Sequence, residues 1–131
     1  MRSRLFYHIV WTTRGRQPVL DRPAAEFLGR YLRAVARQER SRILSLGIVS
    51  THVHVLVTAE TMTVLPRLVQ RFKGGSSVLI NREGHTSRNV PVRWEKGYAI
   101  HTVGWRGLAA ARAYIESQAT RHPHERIPDQ V

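Results

Sequence analysis

The sequence predicts an α+β domain: an antiparallel sheet with helices packed on one face and the other face left open. Three observations carry that expectation. The chain has 131 residues, 42% of them hydrophobic, which suits one domain with one core. Its apolar periodicity switches between two and 3.6 in the order β-α-β-β-α-β-α. The stretch "STHVHVLV" (Ser50 to Val57) alternates so that one side of a strand is all valine. Together these describe a ferredoxin-like sandwich.

Each element has its own justification. "LFYHIVWTT" (Leu5 to Thr13) is aromatic and β-branched, a good strand, and a basic loop, "RGRQPVL", follows. Asp21 and Pro23 signal a helix start, and Phe27, Leu28, Tyr31, Leu32 and Val35 keep helical spacing to about Glu39. Ile43 to Ala59 reads either as one long strand or as a hairpin without an obvious turn, with Gly47 marking a bulge. Val64 to Ile80 outlines a second helix, weakened by the paired glycines of "KGGSS". "NREGHTSRNVP" reads as a polar loop, "YAIHTVG" as the last strand and "GLAAARAYIESQATR" as a third helix. The domain is expected over residues 1–121, with 122–131 a flexible tail.

Composition narrows the function. There is no cysteine, which excludes disulfide scaffolds and thiolate metal sites. No segment approaches the roughly 20 apolar residues of a membrane span, and the short, His8-bearing apolar start is no signal peptide, so a cytoplasmic protein is expected. Lys plus Arg number 21 against 9 Asp plus Glu, a net charge of +12. Apart from Lys73 and Lys96 the cations are arginines, whose planar fork grips phosphate through two parallel hydrogen bonds. Such a surface attracts polyanions.

The chemistry centres on the histidine pair. Period two puts His52, His54 and Leu56 on one face and Val53, Val55 and Val57 on the other. The valines are the natural core face. The imidazoles then lie side by side, about 6–7 Å apart along the strand, near enough to converge on one divalent cation. Two ligands make a poor site, and a third must come from elsewhere. "YIESQ" offers Tyr114 and Gln118, one helical turn apart on one face. Gln is a neutral oxygen donor suited to Mg²⁺ or Mn²⁺. His8 and His101 read as structural histidines, with the side His8 faces left open, and the pair in "HPH" (His122 to His124) as a surface feature.

With these pieces in place, the chain resembles the HUH single-tyrosine transposases, the IS200-like branch and its domesticated relatives, the REP-associated tyrosine transposases. His52-Val53-His54 fits the His-hydrophobic-His motif. "YHIVWTTRGRQPVL" is similar to the family's opening strand and loop, and "RFKGGSSVLIN" to its K-G-x-S helix through Lys73, Gly74 and Ser76. "WEKGYAIHTVG" resembles its last strand and "YIESQ" its catalytic helix, so the likeness runs from about Tyr7 to Gln118 in the family's order.

The resemblance implies that Tyr114 is the nucleophile and that His52, His54 and Gln118 hold Mg²⁺ or Mn²⁺. It implies a homodimer acting on single-stranded DNA beside hairpins or palindromic repeats. The activity would be transesterification through a 5′-phosphotyrosine, without ATP, and the proton acceptor stays open between a metal-bound water and Lys73. Arg14, Arg16, Arg67, Arg71, Lys73 and Ser76 are the expected DNA contacts, with Trp94 and Trp105 available to stack bases. The competing reading is a non-catalytic single-stranded nucleic-acid-binding module, which would need neither His-x-His nor Tyr-x-x-x-Gln. A third is a metallonuclease in which water attacks and Tyr114 only packs.

Overall fold

The computed structural model describes residues 4–84, 86 and 90–128. Most of the expected polar loop after Asn81 falls within them, while His85, Ser87, Arg88 and Asn89 lie outside. The strands are β1 (Arg4–Thr12), β2 (Ser41–Val49), β3 (His52–Glu60) and β4 (Ala99–Val103). The helices are α1 (Arg22–Gln38), α2 (Leu65–Gln70), α3 (Ser76–Glu83), α4 (Leu108–Glu116) and α5 (Gln118–Arg121). The sheet is four-stranded in the order β2-β3-β1-β4, with every neighbouring pair antiparallel. This is the ferredoxin-like order that the element sequence called for.

The central ambiguity resolves as a hairpin. Val49 pairs with His52, leaving Ser50 and Thr51 as the turn. The irregularity in β2 falls between Ile43 and Ser45 rather than at Gly47. Gly47 serves a different purpose, described below.

Valine parity sets the core as expected. Val53, Val55 and Val57 join Ile9 and Trp11 of β1 in one buried cluster with Leu28, Leu32 and Val35 of α1 and with Leu68, Phe72 and Ile80. Asp21 starts α1 by accepting from the Ala24 amide at 3.1 Å, with Pro23 in the first turn. The paired glycines do interrupt the second helix: Arg71–Gly75 forms a π-helical turn between α2 and α3. A Cβ on Gly75 would overlap the Tyr31 hydroxyl, which donates to the Arg71 carbonyl at 3.2 Å. The glycine thus lets α1 and the π turn meet.

Two expectations need correction. The second face of the sheet is not open along its length, because α4 and α5 pack across β2 and β3. Leu56 and Ile115 are fully buried there. Nor is the chain loose from residue 122. Ile127 is 1% exposed and belongs to the core cluster, and the Ser50 amide donates to the Glu125 carbonyl at 2.7 Å. The "HPHERIP" stretch carries one strongly apolar side chain, Ile127, and the core takes it up. Asp129 to Val131 of the expected tail lie outside the described residues.

Candidate active site

The histidine face is assembled from three strands and the C-terminal helices. Residues directly opposite in an antiparallel pair share a face. Thr12 faces His52, Val10 faces His54 and His8 faces Leu56, while Gly47 of β2 faces His54 from the other side. His8 therefore lies on the face of the histidine pair. Gly47 is where a helix can come closest. A Cβ there would overlap the Ile115 carbonyl oxygen and crowd Gln118 Cγ. Without a side chain at 47, the α4–α5 junction settles directly onto the strand.

That close approach brings Gln118 to His52. Gln118 is 1% exposed, and its Oε1 lies 3.4 Å from His52 Nε2. The amide orientation is fixed from behind, because Gln118 Nε2 donates to the Tyr114 carbonyl at 2.9 Å. The helix breaks at Ser117, between α4 and α5, so this side-chain bond ties the two turns together. Tyr114, half-exposed, sets its ring edge-on to His54 and His8, with centroids 5.7 and 6.0 Å away. The Arg121 guanidinium lies 4.7 Å from the Tyr114 ring centre.

Electrostatics keep the imidazoles neutral. Burial, reinforced by His52, His8 and His122, drives His54 down to about 3. Burial also lowers His52, against the opposing pull of Gln118 and Glu125, and lowers His8 with help from His101. His8 Nε2 and His54 Nδ1 share a hydrogen bond of 2.8 Å. Neutral imidazoles with a carboxamide oxygen form a mixed nitrogen–oxygen donor set that can hold a divalent ion while leaving the ion its full charge. The amide geometry fits as well: the Gln118 oxygen is turned towards the His52 ring nitrogen, and the amide nitrogen away from it.

The other expected residues scatter. Arg16 Nη2 meets Glu125 Oε1 at 2.9 Å, beside His52. Lys73 donates to the carbonyls of Glu95 and Gly97 at 2.7 and 2.6 Å, and Arg14 lies near the Glu95 carboxylate. Arg67 and Arg71 do not extend this group. Both bind Glu39 at the end of α1, at 3.0 and 2.8 Å, towards the end of the sheet away from His52. Ser76 must be withdrawn as a DNA contact: it is fully buried, donates to the Lys73 carbonyl and accepts from Trp94 Nε1 at 3.1 Å. Trp94 is thereby a structural donor, whereas Trp105 is 76% exposed and stands 6.1 Å from Phe6.

Sequence reasoning missed His8, Thr51, Arg121, His122 and Glu125. Arg121 had a signal, since Tyr114, Gln118 and Arg121 follow i, i+4, i+7 spacing. His122 belongs to "HPH", which reads as a surface feature, yet its ring meets that of His52 edge-on at 5.3 Å. His52, His122 and Glu125 also bring one ligand atom each within 4.8 Å of one another. His124, by contrast, is exposed.

Comparison with known proteins decides the family. The model described as "Transposase IS200 like" matches residues 1–118. The chain belongs to the IS200-like transposase family. Within it, the chain is 30% identical over 120 residues to the ISDra2 transposase TnpA of Deinococcus radiodurans, covering 87% of this chain and 84% of that protein. A crystal structure of a candidate transposase from the same organism superposes with a TM-score of 0.67 at 29% identity, over 88% of this chain and 92% of that one. The fold is shared with a REP-associated tyrosine transposase solved bound to a REP hairpin, with a TM-score of 0.70 at 14% identity, over 89% of this IS200-like chain and 67% of that one. Among the described residues no helix is long and apolar enough to cross a membrane.

Proposed function

We propose that this IS200-like transposase cuts and rejoins single-stranded DNA beside hairpins, with Tyr114 as nucleophile. The observation that carries the reading is the convergence of Tyr114, His54, His52 and Gln118 on one sheet face, with the Gln118 amide held by the Tyr114 carbonyl. The Tyr114 oxygen bonds to the scissile phosphorus as the bond to the 3′-oxygen breaks. The phenol gives up its proton and the departing 3′-oxygen gains one. The phosphotyrosine keeps the ester's free energy, so a second 3′-hydroxyl can reverse the step without ATP. Mg²⁺ or Mn²⁺, held by His52, His54 and Gln118, would supply charge neutralisation at the phosphate. The burial that keeps these histidines neutral keeps them ready as ligands.

The net charge of +12 supports a polyanionic partner, and the hairpin carried by the REP-associated neighbour supports its form. Arg16 beside Glu125, Arg121 beside Tyr114, and Arg14 with Lys73 near Glu95 are the cations we assign to the strand's phosphates. The test is a denaturing gel of the protein with labelled single strands from the repeats beside its own gene, with Mn²⁺ or chelator. A metal-dependent covalent band that vanishes in Tyr114→Phe supports the reading. Cleavage without a band points to hydrolysis by water, and binding without cleavage to a non-catalytic module.

A further inference from the structure

The segment after α5 reaches back to the histidine pair through a specific chain of hydrogen bonds. Glu125 Oε1 takes the Thr51 hydroxyl at 2.8 Å and Arg16 Nη2 at 2.9 Å. Thr51 Oγ1 in turn lies 2.9 Å from His52 Nδ1. The Ser50 amide on the Glu125 carbonyl and the buried Ile127 hold the segment in place on both sides of the carboxylate.

The donor count in this chain is restrictive. A carboxylate only accepts, so the Thr51 proton points to Glu125. The Thr51 oxygen can then only accept from His52, which places the imidazole proton on Nδ1. His52 Nε2 is left with a bare lone pair, and it is this atom that faces the Gln118 oxygen at 3.4 Å. The amide cannot turn to donate, because its nitrogen is engaged by the Tyr114 carbonyl. Two acceptors thus face one another, an arrangement that a cation between them satisfies.

We infer that Glu125 and Thr51 are positioning residues for the metal: the C-terminal segment sets the His52 tautomer so that Nε2 is available beside Gln118. The inference rests on the metal reading proposed above. Carboxylate partners of this kind orient ligating histidines and raise their basicity. Here the carboxylate comes from the helical turn after α5, Pro123–Glu125, and acts through a hydroxyl. Direct ligation by Glu125 is the rival use of the same atoms, since its Oε2 lies 3.8 Å from His52 Nδ1 and 3.5 Å from His122 Nδ1. The geometry favours the relay, because Thr51 is the nearer partner of His52 Nδ1 and Arg16 already neutralises the carboxylate.

The experiment is a titration of Mn²⁺ alone into the full-length chain, following free Mn²⁺ by electron paramagnetic resonance at fixed pH. Circular dichroism checks the fold of each variant. Thr51→Val, which keeps the shape and removes the hydroxyl, is expected to weaken Mn²⁺ roughly 10-fold. Glu125→Ala should weaken it to a similar extent, and the double variant no further, because both break one chain. Glu125→Gln, which still accepts the Thr51 proton, should bind nearly as the parent does, and His122→Ala should change little. Loss in Glu125→Ala and His122→Ala with Thr51→Val unaffected overturns the relay in favour of direct ligation. Unchanged affinity in Thr51→Val and Glu125→Ala, with binding lost in His54→Ala, overturns the relay and leaves the metal reading intact. Binding that survives His54→Ala overturns the metal reading and the relay with it.

Discussion

Gly47 on β2 lies directly beneath the Ile115 carbonyl of α4, and no Cβ fits between them. The contact joins the sheet to the helix junction that carries both Tyr114 and Gln118. Gly47→Ala must push that junction outward, at a cost of about 1–3 kcal/mol for overpacking. Displacement by a few tenths of an ångström also spoils the approach of Gln118 to His52. We expect the melting temperature to fall and the yield of covalent DNA adduct to drop at least ~10-fold. Adduct yield at the parent level would show that the junction can shift without consequence.

Acid should unfold the protein earlier than its basic composition suggests. His54 is held down to about 3 by burial and by its neighbours His52, His8 and His122, with Tyr114 closing the other side. As pH falls below ~6.5, the unfolded chain takes up this proton and the folded chain does not. The contribution is fully present above that pH and is lost at roughly 1.4 kcal/mol per pH unit below it. His52 and His8 are shifted the same way and steepen the loss. Calorimetric melts between about pH 7 and 4.5 should show a steady decline that His54→Gln flattens. A flat parent profile would contradict the burial of these rings.

Ser76 tests the difference between packing and binding. Its hydroxyl bridges Trp94 and the Lys73 carbonyl inside the fold. Ser76→Ala should cost about 1 kcal/mol, since Trp94 Nε1 retains its bond to the Lys73 carbonyl. Affinity for single-stranded DNA, read by fluorescence anisotropy, should be unchanged. A selective loss of affinity at constant stability would restore Ser76 to the DNA surface.

Ile127 tests the docking of the C-terminal segment. It is almost fully buried in the main core, so Ile127→Ala should destabilise by about 2–4 kcal/mol, measured by urea unfolding. A change under ~0.5 kcal/mol would mean that the segment is not held as described.

The sheet and its core face were legible because strand parity is local: "THVHVLV" assigns the valines inward whatever the partner strands do. The Tyr114–Gln118 pair was legible for the same reason, as a one-turn spacing. What escaped was long-range. Glu125 meets Thr51 across 74 positions, and His8 meets His54 across 46. No periodicity encodes such pairs. Gly47 was misread because a glycine within a strand has two meanings, a bulge or a close backbone approach, and only the neighbouring helix distinguishes them. The pairing of Arg67 and Arg71 with Glu39 was equally out of reach, because Glu39 caps a different helix.

The two ends of the described chain also lie at opposite ends of the sheet. Arg4 pairs with Glu60, at the far end of β3 from His52, whereas Glu125 reaches Thr51 beside His52 before Ile127 enters the core. A label at the exposed position 126, next to that carboxylate, would therefore report on the histidine pair, and one at the exposed position 5 would not.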